Sequence, residues 1–518
     1  MRISQSVTRN AQVAANEVAT VFGERERTWT EHADRVARLA AALAGLGVAD
    51  GNRVAALGLN SDRYVEWFYA VSWAGGVVVP INIRLAPPEM VHWIEDSGAT
   101  ILFVDDTFVP VVPTLLERTG TTHVVYLGDG ETPDGMVGFE DLIAGATPIE
   151  PRDRGGDELA GLFYTGGTTG RSKGVMLSHG NLMSNALQIM PGLRFRPDTR
   201  YLHAAPMFHL ANGAGMYATA LIGATHVIVP MFTPDGVLDA IEQQRVTATV
   251  LVPTMIAALT QAPGVTDRDL SSWEQLMYGG SPISEAVLEA ITKLVPTLNL
   301  QQAYGQTEAA PALTMLSWER HVFSGPLAGK IRSAGQAVPG VEVEILDESD
   351  QPVERGVVGQ ICARGDNVML GYLNRPEETA AALANGWLHT GDGGYMDDDG
   401  FVFVVDRIKD MIITGGENVY SAEVENALAA HPAILECAVF GIPHHRWGEQ
   451  VHAVVRTAPD TGLTEQAVID HCHELIAGFK CPRSVKVVAD ELPKSGAGKI
   501  LKRDLRAPWW ESETRSVH

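Results

Sequence analysis

The sequence predicts an α/β protein: a large amino-terminal domain of parallel α/β subdomains, a small β-barrel-like subdomain, and a small, mobile α+β domain at the carboxy-terminal end. Three observations predict it. Up to Val341, continuous apolar runs alternate with amphipathic stretches, the pattern of βα units in a parallel sheet covered on both faces. From Val341 the runs V-E-V-E-I-L-D, V-V-G-Q-I-C-A-R-G and F-V-F-V-V-D alternate in polarity and are parted by Gly and Asp, as antiparallel strands are. Near Asp406 the charged D-R-I-K-D leads into M-I-I-T-G-G-E-N-V-Y and an α+β pattern of about one hundred residues, the size of a domain. The expected domains are therefore 1–407 and 408–518.

Taken in order, A-R-L-A-A-A-L-A-G-L-G at 37–47 has helical spacing and is followed by the strand-like R-V-A-A-L-G at 53–58. T-I-L-F-V-D-D at 100–106, T-H-V-V-Y-L-G at 122–128, T-H-V-I-V-P at 225–230 and T-A-T-V-L-V-P at 247–253 are further buried strands. The stretch W-F-Y-A-V-S-W-A-G-G-V-V-V-P-I-N-I from Trp67, and residues 202–234, which lack Asp, Glu, Lys and Arg, have the composition of membrane spans. Gly and Pro interrupt both, and His203, His209, Asn212 and His226 are costly in hydrocarbon, so both are expected to be buried helix–strand units. The tail from Ala507, A-P-W-W-E-S-E-T-R-S-V-H, is expected to fray or dock lightly.

Among the 518 residues, 39 Lys plus Arg stand against 63 Asp plus Glu, a formal charge of −24. That balance argues against general binding of nucleic acid or anionic membrane. Cys362, Cys437, Cys472 and Cys481 are too few and too irregular for a disulfide framework, and M-R-I-S-Q-S-V-T-R-N lacks the apolar core of a secretory signal. A reducing cytoplasm without a transmembrane anchor is the expected setting. His471, Cys472, His473 and Glu474, like His444 and His445, lack the paired spacing of a metal site and are expected on structural faces.

Residues 164–174 read Y-T-G-G-T-T-G-R-S-K-G. A Gly-rich loop can turn its backbone N–H groups toward an anion, and a lysine beyond it can reach a phosphate. This is not a Walker A loop, in which Lys directly follows the second Gly; Lys173 stands three residues past Gly170. Four motifs follow: Q-A-Y-G-Q-T-E at 302–308, G-W-L-H-T-G-D at 386–392, D-R-I-K-D at 406–410 and P-K-S-G-A-G-K-I at 493–500. In this order and spacing the five together resemble the adenylate-forming family, which includes acyl-CoA synthetases, peptide-synthetase adenylation domains and beetle luciferases. The likeness runs from the first helical segment to Arg503.

The resemblance implies an enzyme that joins a carboxylate to the α-phosphate of ATP as an acyl-adenylate, releases pyrophosphate, and then passes the acyl group to CoA with release of AMP. Because two anions must meet, fixed donors, a cation and a metal are needed. It implies that Thr165, Gly166, Gly167, Thr168, Thr169 and Gly170 wrap the β- and γ-phosphates, with Lys173 supplying charge. Gly279, Gly280 and Ser281 would lie along the adenine, and Tyr304, before Gly305, would stack on it. Glu308 and Thr168 would hold Mg²⁺, with the Thr307 hydroxyl on phosphate, while Asp392 and Arg407 take the ribose. Lys499 is the implied cation of the first half-reaction, with Glu308 and Thr168 also in the catalytic set. His209, in P-M-F-H-L, occupies the family's gate beside the carboxylate site. The second half-reaction is implied to follow a swing of the small domain about a hinge at Lys409, which withdraws Lys499 and brings Gly415, Gly416 and Glu417 to a channel for pantetheine.

Amino-acid-activating relatives usually carry an aspartate just after the gate, whereas H-L-A-N-G-A-G-M-Y-A has no carboxylate. A neutral, apolar acid is expected, whether fatty, aryl or polycyclic, in a pocket that includes Ala211, Gly213, Tyr278, Ala303 and Ala309. Ala303 stands where the family commonly has Gly, and its methyl narrows that wall. The absence of a downstream carrier module disfavours a peptide-synthetase domain, and the ending S-V-H differs from the S-K-L common in luciferases. The expected partners are a small-molecule acid, ATP and CoA, acting on a monomer or homodimer. Four alternatives stay open: a ligase that only thioesterifies a supplied adenylate, an amino-acid-type adenylation enzyme, a kinase-like phosphotransferase, and a non-catalytic acyl-adenylate or CoA binding protein.

Overall fold

A computed structural model describes residues 1–165, 172–281, 283–407, 410–414, 417–444, 446–458, 461–494 and 500–510, with backbone alone at 406, 407, 417 and 418. The chain divides into two compact units, residues 1–343 with 363–388, and residues 344–362 with 389–518.

The first unit holds two large sheets. One is nine-stranded, in the order Gln336–Ala337, Ala312–Leu316, Asn299–Gly305, Gln275–Gly279, Ala248–Leu251, Arg200–His203, Thr225–Ile228, Val18–Phe22, Arg25–Thr28. From Asn299–Gly305 to Val18–Phe22 each neighbouring pair is parallel, so the carboxy-terminal ends of these strands share one edge. The other sheet is eight-stranded, in the order Gly371–Tyr372, Lys173–Ser178, Leu159–Thr165, Val77–Pro80, Arg53–Leu57, Ile101–Val104, His123–Tyr126, Val137–Gly138. It is parallel except at its first end, where Leu159–Thr165 and Lys173–Ser178 form an antiparallel hairpin that Gly371–Tyr372 extends. Strands Val77–Pro80, Ile101–Val104 and Ala248–Leu251 are buried at every position, which is why their sequences are apolar but for Thr249.

Both membrane-like stretches are buried helix–strand units. Helix Asp62–Trp73 starts at Ser61, whose side chain accepts from the Tyr64 N–H, and is buried along its whole length. Its two buried carboxylates need partners in such a place. Asp62 pairs with Arg27 and with Arg25 at 3.0 Å, and Glu66 with Arg35 at 2.7 Å. In the second stretch, strand Arg200–His203, helix Leu210–Ile222 and strand Thr225–Ile228 follow one another. Among the described residues, no helix is long and apolar enough to cross a membrane.

The second unit contains most of a four-stranded sheet, ordered Val341–Leu346, Gly359–Gly365, Leu388–Met396, Val402–Arg407, the last pair antiparallel. A five-stranded sheet follows, in which Ile434–His444 and Gly448–Thr457 pair antiparallel and Ser484–Val488 adds in parallel. Alternate residues of its long hairpin feed two cores, as strand geometry requires. Val439, Val451 and Val455 pack with Val424, Leu428, Val468 and Cys472, while Phe440 and Val454 pack with Leu492 and Leu505. Of the two expectations for the tail from Ala507, fraying or light docking, residues 507–510 take the second, and they do so as a helix. Helix Lys502–Trp510 runs through Pro508, the Trp510 indole N–H donates to the Gly441 carbonyl at 3.1 Å, and the Trp509 ring lies 4.8 Å from that of His452. The Trp510 indole gives the last turn a donor to satisfy, while Trp509 stays exposed. Residues 511–518 lie outside the described residues.

Candidate active site

The parallel edge of the nine-stranded sheet collects several of the motif residues. Strand Arg200–His203 runs into the segment that ends at His209, Gln275–Gly279 into Gly280 and Ser281, and Asn299–Gly305 into Gln306–Ala309. Loops at the carboxy-terminal ends of parallel strands are where open α/β sheets bind ligands. Gly279 faces Ala303 across the strands, and a Cβ on Gly279 would stand 2.3 Å from the Ala303 carbonyl oxygen. Gly280 follows at φ +82°, so this strand end is bare backbone, and on the neighbouring strand the half-buried Tyr304 follows Ala303.

Glu308 lies in the short 3₁₀ turn Thr307–Ala309 and is buried. Its Oε1 accepts from the Tyr372 hydroxyl at 2.8 Å, and its carbonyl accepts from the Met369 N–H at 2.9 Å. The turn is fixed from beneath by Asn367, whose Nδ2 donates to the carbonyls of Ala309 at 2.7 Å and Ala312 at 3.0 Å, and by Asn185, which also donates to Ala312 at 3.0 Å. Among the described residues no lysine or arginine forms an ion pair with the Glu308 carboxylate. A buried carboxylate without a cation is costly, and the hard oxygens of Glu308 suit Mg²⁺, so Glu308 fits the implied metal, while Thr168, the other implied ligand, lies outside the described residues.

Thr165 and Lys173 are register partners at the loop end of the antiparallel hairpin. Gly166, Gly167, Thr168, Thr169 and Gly170, between them, lie outside the described residues. Tyr164, just before, stacks on Trp93 at 4.8 Å and donates to Asp96 at 2.8 Å, and burial pushes its phenol up. The Lys173 ammonium sits over the Tyr372 ring, 4.8 Å from its centroid. Tyr372 therefore touches both Lys173 and Glu308. It was not among the sequence candidates, because nothing in G-Y-L-N-R-P distinguishes it; only strand pairing brings it here.

His209 precedes helix Leu210–Ile222, its carbonyl accepting from the N–H groups of Asn212 at 3.1 Å and Gly213 at 3.0 Å, and its ring leans on Phe208 at 4.4 Å. The segment leading to it is held from both sides. Asn60 donates to the Ala205 carbonyl at 3.0 Å and accepts from the Met207 N–H at 2.8 Å, and Asn212 donates to Ala205 at 2.6 Å. The Asn212 oxygen accepts from Tyr201 at 3.1 Å and from His203 Nδ1 at 3.0 Å, which leaves His203 Nε2 to accept from His226 Nδ1 at 2.9 Å. Burial pushes His203 down to about 3 and His226 well below the ordinary range, so this network is neutral and its role is rigidity. Of the acyl-pocket candidates, Ala211 is exposed and Gly213 buried in the first turns of the helix after His209, while Tyr278, Ala303 and Ala309 stand with Gly279 and Tyr304.

In the second unit, Asp392 is buried and opposite Arg407 in the antiparallel pair. Its N–H donates to the Thr390 hydroxyl at 3.1 Å, which donates to the Ile361 carbonyl at 2.6 Å, so the strand that carries Asp392 is tied to its neighbour by side chain as well as ladder. Glu417 pairs through its backbone with Thr414. Lys409, Gly415, Gly416, Lys499 and the side chains of Arg407 and Glu417 lie outside the described residues.

A model of the AMP-binding enzyme family matches residues 7–373, and a model of the AMP-binding enzyme C-terminal domain matches residues 423–499. A feruloyl-CoA synthase of an Amycolatopsis species is 40% identical over 504 residues, 96% of this chain and 97% of its own length. The indoleacetate–CoA ligase of Aromatoleum aromaticum is 36% identical over 510 residues, 98% of either chain. ATP-bound MatB from Rhodopseudomonas palustris superposes with a TM-score of 0.88 at 31% identity, over 99% of this chain and 100% of that one. The chain belongs to the AMP-binding enzyme family, the adenylate-forming acid–thiol ligases.

Proposed function

We propose that the protein is an ATP-dependent acyl-CoA ligase that activates a neutral, apolar carboxylic acid as its adenylate, with release of pyrophosphate, and then transfers the acyl group to the CoA thiol, with release of AMP. The observation that carries this is the convergence of the His209 segment, Gly279–Ser281 and Tyr304–Glu308 on one edge of one parallel sheet, together with the contact of Tyr372 with both Glu308 and Lys173.

In this site Thr165 and Lys173 bind the β- and γ-phosphates with the intervening loop, and the bare strand end at Gly279 and Gly280 receives the adenine against Tyr304. Asp392 accepts from the ribose hydroxyls, and Arg407 donates to the same sugar. Mg²⁺ held by Glu308 and Thr168 supplies charge neutralisation at the phosphates. Lys499 neutralises the charge that grows between carboxylate and α-phosphate, and His209 closes the acid site. The domain boundary at 407/408, with a hinge at Lys409, lets the small domain exchange Lys499 for the glycine-lined channel of Gly415, Gly416 and Glu417.

Two features support a neutral acid. The one polar side chain early in the helix after His209, Asn212, is already engaged with Ala205, Tyr201 and His203, so nothing there offers a charge to a substrate ammonium. The feruloyl- and indoleacetate-named relatives favour aryl acids within that class. The test is an acid panel with ATP and Mg²⁺, with and without CoA, in which AMP, ADP, acyl-adenylate and acyl-CoA are scored by mass spectrometry. Acyl-adenylate without CoA and acyl-CoA with it are expected for neutral aryl acids; ADP as the nucleotide product, or acyl-CoA only from supplied adenylate, would contradict the proposal.

A further inference from the structure

Tyr372 is built into its place from both sides. Strand Gly371–Tyr372 pairs with Val175 and Met176, the Leu373 N–H donates to the Gly174 carbonyl at 2.8 Å, and the Tyr372 N–H donates to the Thr379 hydroxyl at 2.9 Å. Gly371, at φ +138°, lies so close to Thr379 that a Cβ would stand 2.6 Å from its methyl. With the backbone fixed, the Tyr372 hydroxyl meets Glu308 Oε1 at 2.8 Å while its ring lies under the Lys173 ammonium.

The terminal torsion of a glutamate is broad, so a carboxylate without a second partner swings. A hydrogen bond to one oxygen sets the plane in which the other presents its lone pairs, and such outer partners fix ligand orientation and affinity at metal sites. We propose that Tyr372 is a positioning residue for the first half-reaction: its hydroxyl orients Glu308 for the divalent cation, and its ring ties that carboxylate to the strand that carries Lys173. The proposal rests on Glu308 as the metal ligand.

The test uses the full-length protein with ATP and without acid, and Mn²⁺ as a spectroscopic stand-in for Mg²⁺. Binding is titrated by electron paramagnetic resonance in wild type, Tyr372→Phe, Tyr372→Leu and Glu308→Gln. Tyr372→Phe, which keeps the ring under Lys173, is expected to weaken Mn²⁺ binding by about 10- to 100-fold. In a separate assay with acid added, acyl-adenylate formation falls with it and recovers at raised Mn²⁺, and Tyr372→Leu additionally weakens ATP because Lys173 loses its support. Wild-type Mn²⁺ affinity in Tyr372→Phe, with affinity lost in Glu308→Gln, would overturn the role of Tyr372 alone. Wild-type affinity in Glu308→Gln would remove the ligand itself, and both readings fall together.

Discussion

The phenol of Tyr278 donates to Nε2 of His321 at 2.9 Å. The direction follows from the other ring nitrogen: Nδ1 lies 3.0 Å from the Ser317 carbonyl, which can only accept, so Nδ1 carries the proton and Nε2 the lone pair. Burial pushes His321 down to about 4, so the ring is neutral at physiological pH. Tyr278, at the strand end before Gly279, is thereby held in the core among Leu276, Leu288 and Ile291.

Replacing His321 by Leu leaves that buried hydroxyl only the long contact to Gln302 Oε1, at 3.5 Å, at a cost of about 1–3 kcal/mol. Thermal unfolding should show the loss, and adding Tyr278→Phe to the variant should recover part of it by removing the poorly satisfied hydroxyl. A double variant no more stable than His321→Leu would show that the pair is not coupled.

At the bare strand end, Gly279→Ala forces a Cβ to within 2.3 Å of the Ala303 carbonyl, so the strand end must move. A displacement of about 1 Å in a binding edge costs on the order of a hundredfold in rate. Acyl-adenylate formation at limiting ATP should fall by that order, while Gly329→Ala, where nothing stands within 4 Å, should behave as wild type. Equal rates in the two variants would remove Gly279 from the nucleotide site.

What the sequence made legible was what local chemistry encodes. Unbroken apolar strands marked the parallel sheets, whereas Gly279, Gly280 and Tyr304 could be named before the fold only because the motifs around them resemble those of a known family. Tyr372, Asn60, Asn185, Asn367 and His321 could not. Each acts on a residue far along the chain, as Tyr372 does on Glu308, and a lone Tyr, Asn or His has no local signature until strand pairing supplies its partner. The amphipathic last helix was missed for a related reason, since its anchors, Gly441 and His452, lie in a hairpin formed earlier in the chain.

Acid should unfold the protein through its buried imidazoles. Burial, the first cause in each case, pushes His32 and His203 down to about 3 and His179, His321 and His452 down to about 4, from an ordinary value of 6.5. Because the unfolded chain takes up these protons first, stability is full above pH 6.5 and is lost as pH falls from 6.5 toward 4. Each group contributes up to about 1.4 kcal/mol per pH unit in that window. Calorimetry should show Tm dropping steeply between pH 7 and pH 5, with His321→Gln flattening the slope; a level profile would contradict the buried neutral assignment.

The most direct measurement of the proposed division of labour is Lys499→Ala assayed on two substrates. Given acid, ATP and Mg²⁺, the variant should form acyl-adenylate about 100- to 1,000-fold more slowly than wild type, the scale of losing one electrostatic stabiliser of a transition state. Given the acyl-adenylate and CoA, it should still make acyl-CoA. A variant that adenylates the acid as fast as wild type would contradict the assignment of Lys499 and, with it, the two-state use of the small domain.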